Sequence, residues 1–348
     1  MTRRVAILGA GMMGSALSVP LADAGHEVRL IGTHLDRDVI DSLEQGAPHP
    51  KLCLELPRSI VAHPFEELET AIRGAELLVL GVSSAGVRWA AQQLTPYVSP
   101  DLPILMVSKG LDWDGAELRI LPDVLVSGLP AAVRDGIHPV SIAGPCIAGE
   151  LARRVQTCVV FAGRDLVSAQ SAAAFFPWSY YHVWTSKDAV GVEVCAALKN
   201  AFAMGIAFGA GLHERGGGPT GSIAMHNYEA AVFAQATVEM RRVVELLGGD
   251  PESVLGLPGV GDLDVTCNGG RTGRFGHLLG LGLGVTESTR RMEGATLECL
   301  EILAVMRSAL PHLESSGALG PRELPLLRHL SAVALDDAPL DMPFARFF

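Results

Sequence analysis

A chain of 348 residues is longer than one ordinary hydrophobic core, and two domains of roughly 150–200 residues are expected. With 49% hydrophobic and 19% charged residues it can bury sizeable cores, which excludes a disordered chain. A net charge of −11 disfavours nonspecific attraction to nucleic acid or anionic membranes, so neither is expected as a partner. An acidic protein that takes an anionic ligand must gather positive charge locally.

Cys53, Cys146, Cys158, Cys195, Cys267 and Cys299 are scattered, without a C-x-x-C pair. That pattern suits reduced thiols in a cytoplasmic enzyme better than a disulfide framework or a zinc site, and no metal is expected. The opening Met1-Thr2-Arg3-Arg4 precedes a short apolar run ending in glycines that have another explanation, so it is not read as a signal peptide.

In chain order, residues 5–8 read as a buried strand, followed by glycines and a helix to about residue 24. Residues 27–31 form a second strand, and 77–82 and 104–107 further ones, separated by helical stretches such as 86–94. Residues 141–143 and 158–161 add later strands. Strands alternating with helices predict a parallel, doubly wound α/β sheet. Beyond about residue 186 long helical patterns dominate, at 188–211, 227–247 and 293–308, with a glycine-rich loop at 215–221. The expected division is therefore residues 1–186, a Rossmann-type dinucleotide-binding domain, and residues 187–348, an all-helical substrate domain.

Gly9-Ala10-Gly11-Met12-Met13-Gly14 follows a strand and opens a helix. The glycines allow a tight turn, close backbone approach to a pyrophosphate and close helix–strand packing. The helix N-terminus offers unpaired N–H groups and a positive dipole end to the phosphates. A glycine-rich turn without a ligand is the alternative. Gly32-Thr33-His34-Leu35-Asp36-Arg37 lies where an acidic residue would bind the ribose hydroxyls of NAD. Asp36 falls beyond the strand end, whereas Thr33, His34 and Arg37 tolerate a 2′-phosphate, so NAD and NADP both stay open as cofactor.

Lys109, in Ser108-Lys109-Gly110, follows an apolar strand, where a doubly wound sheet binds ligands; the alternative is a solvated loop lysine. Lys199 is the only charge between residues 194 and 212, a run better explained as a buried core helix than a membrane span. Burying an unpaired ammonium is costly, so Lys199 either snorkels to the surface or faces a polar cleft with an anionic partner. In the cleft, a lowered pKa would suit it to proton transfer. Gly259-Val260-Gly261-Asp262-Leu263-Asp264 reads as a glycine-flanked acidic turn, with Thr266 and Cys267 beyond it. It leads into a glycine-rich stretch, 268–276, in which Arg271 can bind an anion bidentately. An ordinary solvated loop would tolerate the same residues.

Taken together, several segments resemble bacterial-type NAD(P)-dependent glycerol-3-phosphate dehydrogenase: Gly9 to Gly14, Val82-Ser83-Ser84, Ser108 to Leu111, Gly144 to Ala148, Gly191-Val192-Glu193 with Ala197 to Asn200, Asn227 with Glu239-Met240, Gly261 to Leu263 with Thr266-Cys267, Arg271, and Glu293-Gly294. The resemblance implies a site in a cleft between the two domains. It also implies reversible hydride transfer between glycerol 3-phosphate and dihydroxyacetone phosphate, feeding glycerophospholipid synthesis, in a cytoplasmic homodimer. Lys199 would carry the proton at the substrate oxygen and Lys109 would polarise the carbonyl. Asp262 and Thr266 would hold the lysine and the substrate. Asn200 and Arg271 would bind the substrate phosphate, with Arg271 also touching the cofactor pyrophosphate. Gly144, Cys146 and Thr272 would line the substrate; Gly9, Gly11, Met12, Met13, Gly14, Thr33, His34, Ser83, Lys109, Ala148 and Glu293 would line the cofactor.

The chain departs from the family pattern where Cys146 replaces Ser, Ile147 replaces Phe, Thr272 replaces Asn and Ala234-Gln235-Ala236 replaces Thr-Arg-Gly; the 213–221 loop is also unusual. Gln235 and Thr272 motivate an alternative, a dehydrogenase of the ketopantoate reductase or 6-phosphogluconate dehydrogenase type acting on another hydroxy or keto acid. A noncatalytic dinucleotide sensor is a third reading, opposed by the retention of Lys109, Lys199 and Asp262.

Overall fold

The computed structural model describes residues 2–176, 179–221, 225–268 and 270–347. The chain divides into two compact units, one of residues 1–109 and 120–189, the other of 110–119 and 190–348.

The first unit is built on an eight-stranded sheet. Its strands are β1 (Arg4–Leu8), β2 (Glu27–Ile31), β3 (Ile60–His63), β4 (Leu77–Leu80), β5 (Ile104–Met106), β8 (Val140–Ala143), β9 (Thr157–Ala162) and β10 (Tyr181–Ser186); β6 (Leu111–Trp113) and β7 (Leu118–Ile120) form a separate hairpin. The sheet order is β10-β9-β8-β5-β4-β1-β2-β3. From β3 to β8 every pairing is parallel. This is the doubly wound order, which reverses direction between β1 and β4. The expectation of an all-parallel sheet needs one correction: β9 runs antiparallel to β8, and β10 pairs parallel with β9.

The apolar run of β1 dictates layers on both faces. Val5 and Ile7 join a core with Leu17 and Leu21 of α1 (Met12–Asp23), while Ala6 and Leu8 join a second core with Ala90 and Leu94 of α4 (Val87–Leu94). Successive strand side chains point to opposite faces, so a strand apolar throughout must be covered twice. Shorter helices in this unit are α2 (Arg37–Glu44), α3 (Leu68–Ile72), α5 (Leu121–Ser127), α6 (Ala131–Arg134), α7 (Ala148–Ala152) and α8 (Leu166–Ala173).

The second unit comprises α9 (Ala189–Arg215), α10 (His226–Leu246), α11 (Asp262–Asn268), α12 (Arg271–Gly280), α13 (Val285–Arg291), α14 (Glu298–Ser315) and α15 (Pro325–Asp336). It also takes in nearly all of the β6–β7 hairpin, whose Trp113 ring packs 5.4 Å from His312 of α14. The apolar stretch of α9, long enough by composition to cross a bilayer, is 100% buried within the protein. Its richness in small residues has a packing cause. A Cβ on Gly276 or Gly280 of α12 would come 2.2 Å from the Met204 carbonyl oxygen or 2.4 Å from that of Phe208, so the two backbones nearly touch.

Two expectations fail here. Residues 259–264 and 271–276 are helical rather than looped: a π-helical turn, Leu257–Gly261, runs into α11, and Arg271 begins α12. Gly273 and Gly276 lie against the Cys267 and Met204 carbonyl oxygens, whereas Gly270 supplies a left-handed backbone (φ 103°); Gly269 of that stretch lies outside the described residues. The helix expected over 293–308 starts later, at Glu298, because Glu293 turns left-handed (φ 52°) and Gly294 follows at φ 76°. Pro311 is accommodated inside α14, which continues to Ser315.

Candidate functional site

In the first unit, the sequence-predicted residues share one edge of the sheet, the carboxyl ends of its strands. Gly9–Gly14 follows β1, Thr33 and His34 follow β2, Ser83 follows β4, Lys109 follows β5, and Gly144, Cys146 and Ala148 follow β8. In a doubly wound sheet that edge is where ligands bind, most directly at the reversal between β1 and β4.

The three glycines of the β1–α1 turn have different environments. Gly9 (φ 111°) lies against Gly81, whose carbonyl carbon would be 2.6 Å from a Cβ, and a Cβ on Gly14 would be 2.2 Å from the Gly9 oxygen. A Cβ on Gly11 would meet nothing within 4 Å. So Gly9 and Gly14 are demanded by the protein's own packing, whereas Gly11 borders open space at the start of α1. No side chain caps that helix, and its first bond runs from the Ser15 N–H to the Gly11 carbonyl. An uncapped N-terminus beside open space is what a dinucleotide's pyrophosphate requires, so the residues present fit such a cofactor. Met12 is exposed beside this space, and Met13 is half-buried against the core.

Two supports of this turn escaped sequence reading. The buried Asp36 carboxylate accepts hydrogen bonds from the Ala10 N–H (3.2 Å), the Thr33 N–H (3.0 Å) and the Thr33 hydroxyl (2.8 Å), tying the β2 loop to the phosphate turn. His49 is fully buried, and its Nδ1 accepts from the Lys51 and Leu52 N–H groups, both at 3.1 Å. Its Nε2 therefore carries the proton and donates to the Ser15 hydroxyl at 3.1 Å. Burial holds the His49 pKa below the usual histidine value, against the pull of its backbone hydrogen bonds. A carboxylate five residues past the strand and a histidine in a loop carried no local signal; only the fold brings them to Ala10 and Ser15.

Of the remaining positions, Ser83 is exposed and precedes a tight turn, Ser84–Gly86. Lys109 is half-buried, in a loop held by a 2.7 Å bond from the Ser108 hydroxyl to the Val82 carbonyl. Gly144 (φ 132°) presses on β9, where a Cβ would come 2.8 Å from the Cys158 oxygen. Half-buried Cys146 and Ala148 pack against the core beneath α1.

In the second unit, Lys199 sits midway along α9, 7% exposed, and its ammonium meets the carboxylate of Asp262, which is 0% exposed. Of the two alternatives for this lysine, snorkelling is thus excluded. Two ions removed from water require each other, since either alone would cost several kcal/mol, of order 3–5 when one partner is lost. Asp262 is the first residue of α11, set there by the π-helical turn before it. Thr266 donates its hydroxyl to the Asp262 carbonyl at 2.6 Å, one turn back along α11. It thereby holds the aspartate's backbone.

Asn200, beside Lys199 on α9, and Thr272 on α12 are both buried, at 9% and 4% exposure. The backbones of α9 and α12 approach closely further along, at Gly276 beside Met204 and Gly280 beside Phe208. Arg271, at the start of α12, pairs with Glu298 of α14 at 2.5 Å and is half-exposed, so an anion there would compete with a carboxylate. Glu293 is exposed in its left-handed turn. Gln235 donates at 2.8 Å to Glu239, whose carboxylate accepts from the Leu326 and Leu327 N–H groups at 2.6 and 2.8 Å and caps α15. Its departure from the family pattern therefore serves a helix cap.

Known proteins give a concordant picture. Residues 4–169 match the family described as NAD-dependent glycerol-3-phosphate dehydrogenase N-terminus, and residues 188–343 its C-terminus. An NADP(+)-dependent glycerol-3-phosphate dehydrogenase from Archaeoglobus fulgidus is 40% identical over 83% of this chain and 83% of its own length. A glycerol-3-phosphate dehydrogenase [NAD(P)+] from Bacillus velezensis is 33% identical over 80% of this chain and 77% of its own length. Among solved structures, glycerol-3-phosphate dehydrogenase from Coxiella burnetii superimposes with a TM-score of 0.82 at 26% identity, covering 99% of this chain and 98% of that one.

Proposed function

This chain belongs to the NAD-dependent glycerol-3-phosphate dehydrogenase family, and from that premise we propose that it interconverts dihydroxyacetone phosphate and glycerol 3-phosphate with NAD or NADP. Family membership favours this over an activity of the ketopantoate reductase or 6-phosphogluconate dehydrogenase type. The observation that carries it is the buried Lys199–Asp262 pair, whose lysine is the only charge in the apolar run of α9 between residues 194 and 212.

When bound, the nicotinamide supplies or accepts the hydride at the substrate carbon. The residues of the chain govern charge and protons. The Lys199 ammonium donates a proton to the substrate oxygen during reduction and recovers it during oxidation. Asp262 orients that ammonium and keeps it charged until transfer, and Thr266 fixes Asp262 in turn. The role of Lys109, polarising the carbonyl, rests on the resemblance of Ser108 to Leu111. Asn200 and Thr272 offer neutral donors, and Arg271 a charged one, to the substrate phosphate. Binding energy from that remote phosphate positions the reacting carbon.

A homodimer, a cytoplasmic location and delivery of glycerol 3-phosphate to glycerophospholipid synthesis belong to the same proposal; the scattered cysteines support the location. Purified protein is expected to oxidise NADH or NADPH on addition of dihydroxyacetone phosphate. Folded protein that turns over neither cofactor with this substrate would overturn the proposal.

A further inference from the structure

We propose that the first unit holds a second binding site, for a small monocarboxylate with an apolar body, in a cavity of about 220 Å³ between α5, α6 and the loops before β8 and after β9. Its apolar walls come from Pro122 and Val126 of α5, Ile137 and Pro139 ahead of β8, and Ala189. Ile137 and Pro139 lead into the amino end of β8, which runs parallel to β5, and Arg164 follows β9, which runs antiparallel to β8. The cavity therefore lies at the opposite edge of the sheet from the Gly9–Gly14 turn. None of its lining residues is among those assigned to cofactor or substrate.

Two arginines fix the walls of this cavity and set its charge. Arg164 pairs with Asp123 through both carboxylate oxygens, Nε to Oδ1 at 3.1 Å and Nη2 to Oδ2 at 2.6 Å, so these two charges cancel. Arg134, half-buried, donates from Nη2 to the Ser127 and Leu129 carbonyls at 3.1 and 2.7 Å, tying α6 to the end of α5. Neither partner is charged; among the described residues no carboxylate pairs with Arg134, and its buried Nε has no hydrogen-bond partner. A helix C-terminus answers at most about half a charge. The lining thus carries a positive excess in a chain whose total charge is −11. One unanswered guanidinium matches one carboxylate, taken through charge-assisted bonds. A phosphate dianion would leave a charge over, beside the Asp123 carboxylate. A dry cavity of about 150 Å³ accommodates benzene, so one of about 220 Å³ takes a ring together with its carboxylate.

The test titrates the full chain, by calorimetry, with benzoate and with its neutral counterpart benzamide, probes that require no turnover. Benzoate is expected to bind at a single site with a dissociation constant of about 1 mM or tighter, and benzamide at least about tenfold more weakly. Arg134→Met should bring benzoate down to the affinity of benzamide. Val126→Trp, which fills the cavity and leaves its charges in place, should abolish binding of both. Benzoate binding that survives Val126→Trp lies elsewhere and overturns the proposal. Equal affinity for the two probes, unchanged benzoate affinity in Arg134→Met, or no binding of benzoate overturns it as well. If Arg134→Met does not fold, Val126→Trp and the comparison of the two probes decide the matter.

Discussion

The two units handle charge in opposite ways. The α/β unit prepares for an anion with backbone: glycines, an uncapped helix start, and side chains such as Asp36 and His49 that hold the turn from behind. The helical unit buries a full ion pair, Lys199 with Asp262, between α9 and α11, and packs α12 on α9 through glycines. Binding a phosphate needs many weak, fixed donors at the surface, whereas moving a proton needs one strong group shielded from water. The contrast makes distinct variants break distinct functions.

The largest effect is expected from Lys199→Ala, which should cut turnover by roughly 10²–10⁴-fold while the first unit still binds adenine nucleotides with parental affinity. Turnover within a few-fold of the parent in a steady-state assay would remove Lys199 from the chemistry. Asp262→Asn should retain the ammonium but remove the buried carboxylate beside it, lowering stability by up to about 3–5 kcal/mol in denaturant unfolding, the cost of breaking a buried ion pair.

Next in size is a contrast within the phosphate turn. Gly14→Ala places a methyl group 2.2 Å from the Gly9 oxygen and should destabilise the protein by about 1–3 kcal/mol. Gly11→Ala meets no protein atom within 4 Å, so its melting temperature should not change, yet cofactor affinity should fall about tenfold or more. Parental cofactor affinity in Gly11→Ala would mean that the open space is not the pyrophosphate's.

Gly280→Ala tests the helical unit's own packing, since its methyl would lie 2.4 Å from the Phe208 oxygen and 2.9 Å from the Gly211 Cα. A loss of about 1–3 kcal/mol is expected, measured by thermal unfolding. A neutral outcome would show that α9 and α12 can separate without cost.

The smallest effect concerns Asp23, which receives Arg154 at 2.7 Å and the Tyr180 hydroxyl at 2.6 Å. Burial alone would raise its pKa, but these hydrogen bonds and the Arg154 charge together hold it below the ordinary 3.8. A depressed carboxylate adds stability above its unfolded pKa and loses it as pH falls through the folded value. Asp23→Asn should therefore cost about 1 kcal/mol at neutral pH, and the gap to the parent should close in acid. A gap that persists at low pH would assign the effect to packing.

Legibility differed between the units for physical reasons. β1, β2 and the phosphate turn were readable because apolar runs and a glycine pattern are local signals. β3 was not: it is a half-buried edge strand with exposed Val61 in its middle. Nor was β10, whose buried Tyr181 and Val183 alternate with polar or exposed neighbours. In the helical unit, glycines that looked like loop residues are contact points between helices, because a missing Cβ permits close approach as readily as a turn.

By itself the sequence determined the alternation of strand and helix, the glycine turn where a dinucleotide can lie, and the presence of a single charge in a long apolar helix. The tertiary structure decided which carboxylate answers that charge, which acidic residue turns inward, and which half-exposed segments complete the sheet. Periodicity and turns arise between neighbours in the chain, but the partner of a buried ion is chosen by which side chain, 63 residues away, the packing of two helices places within reach.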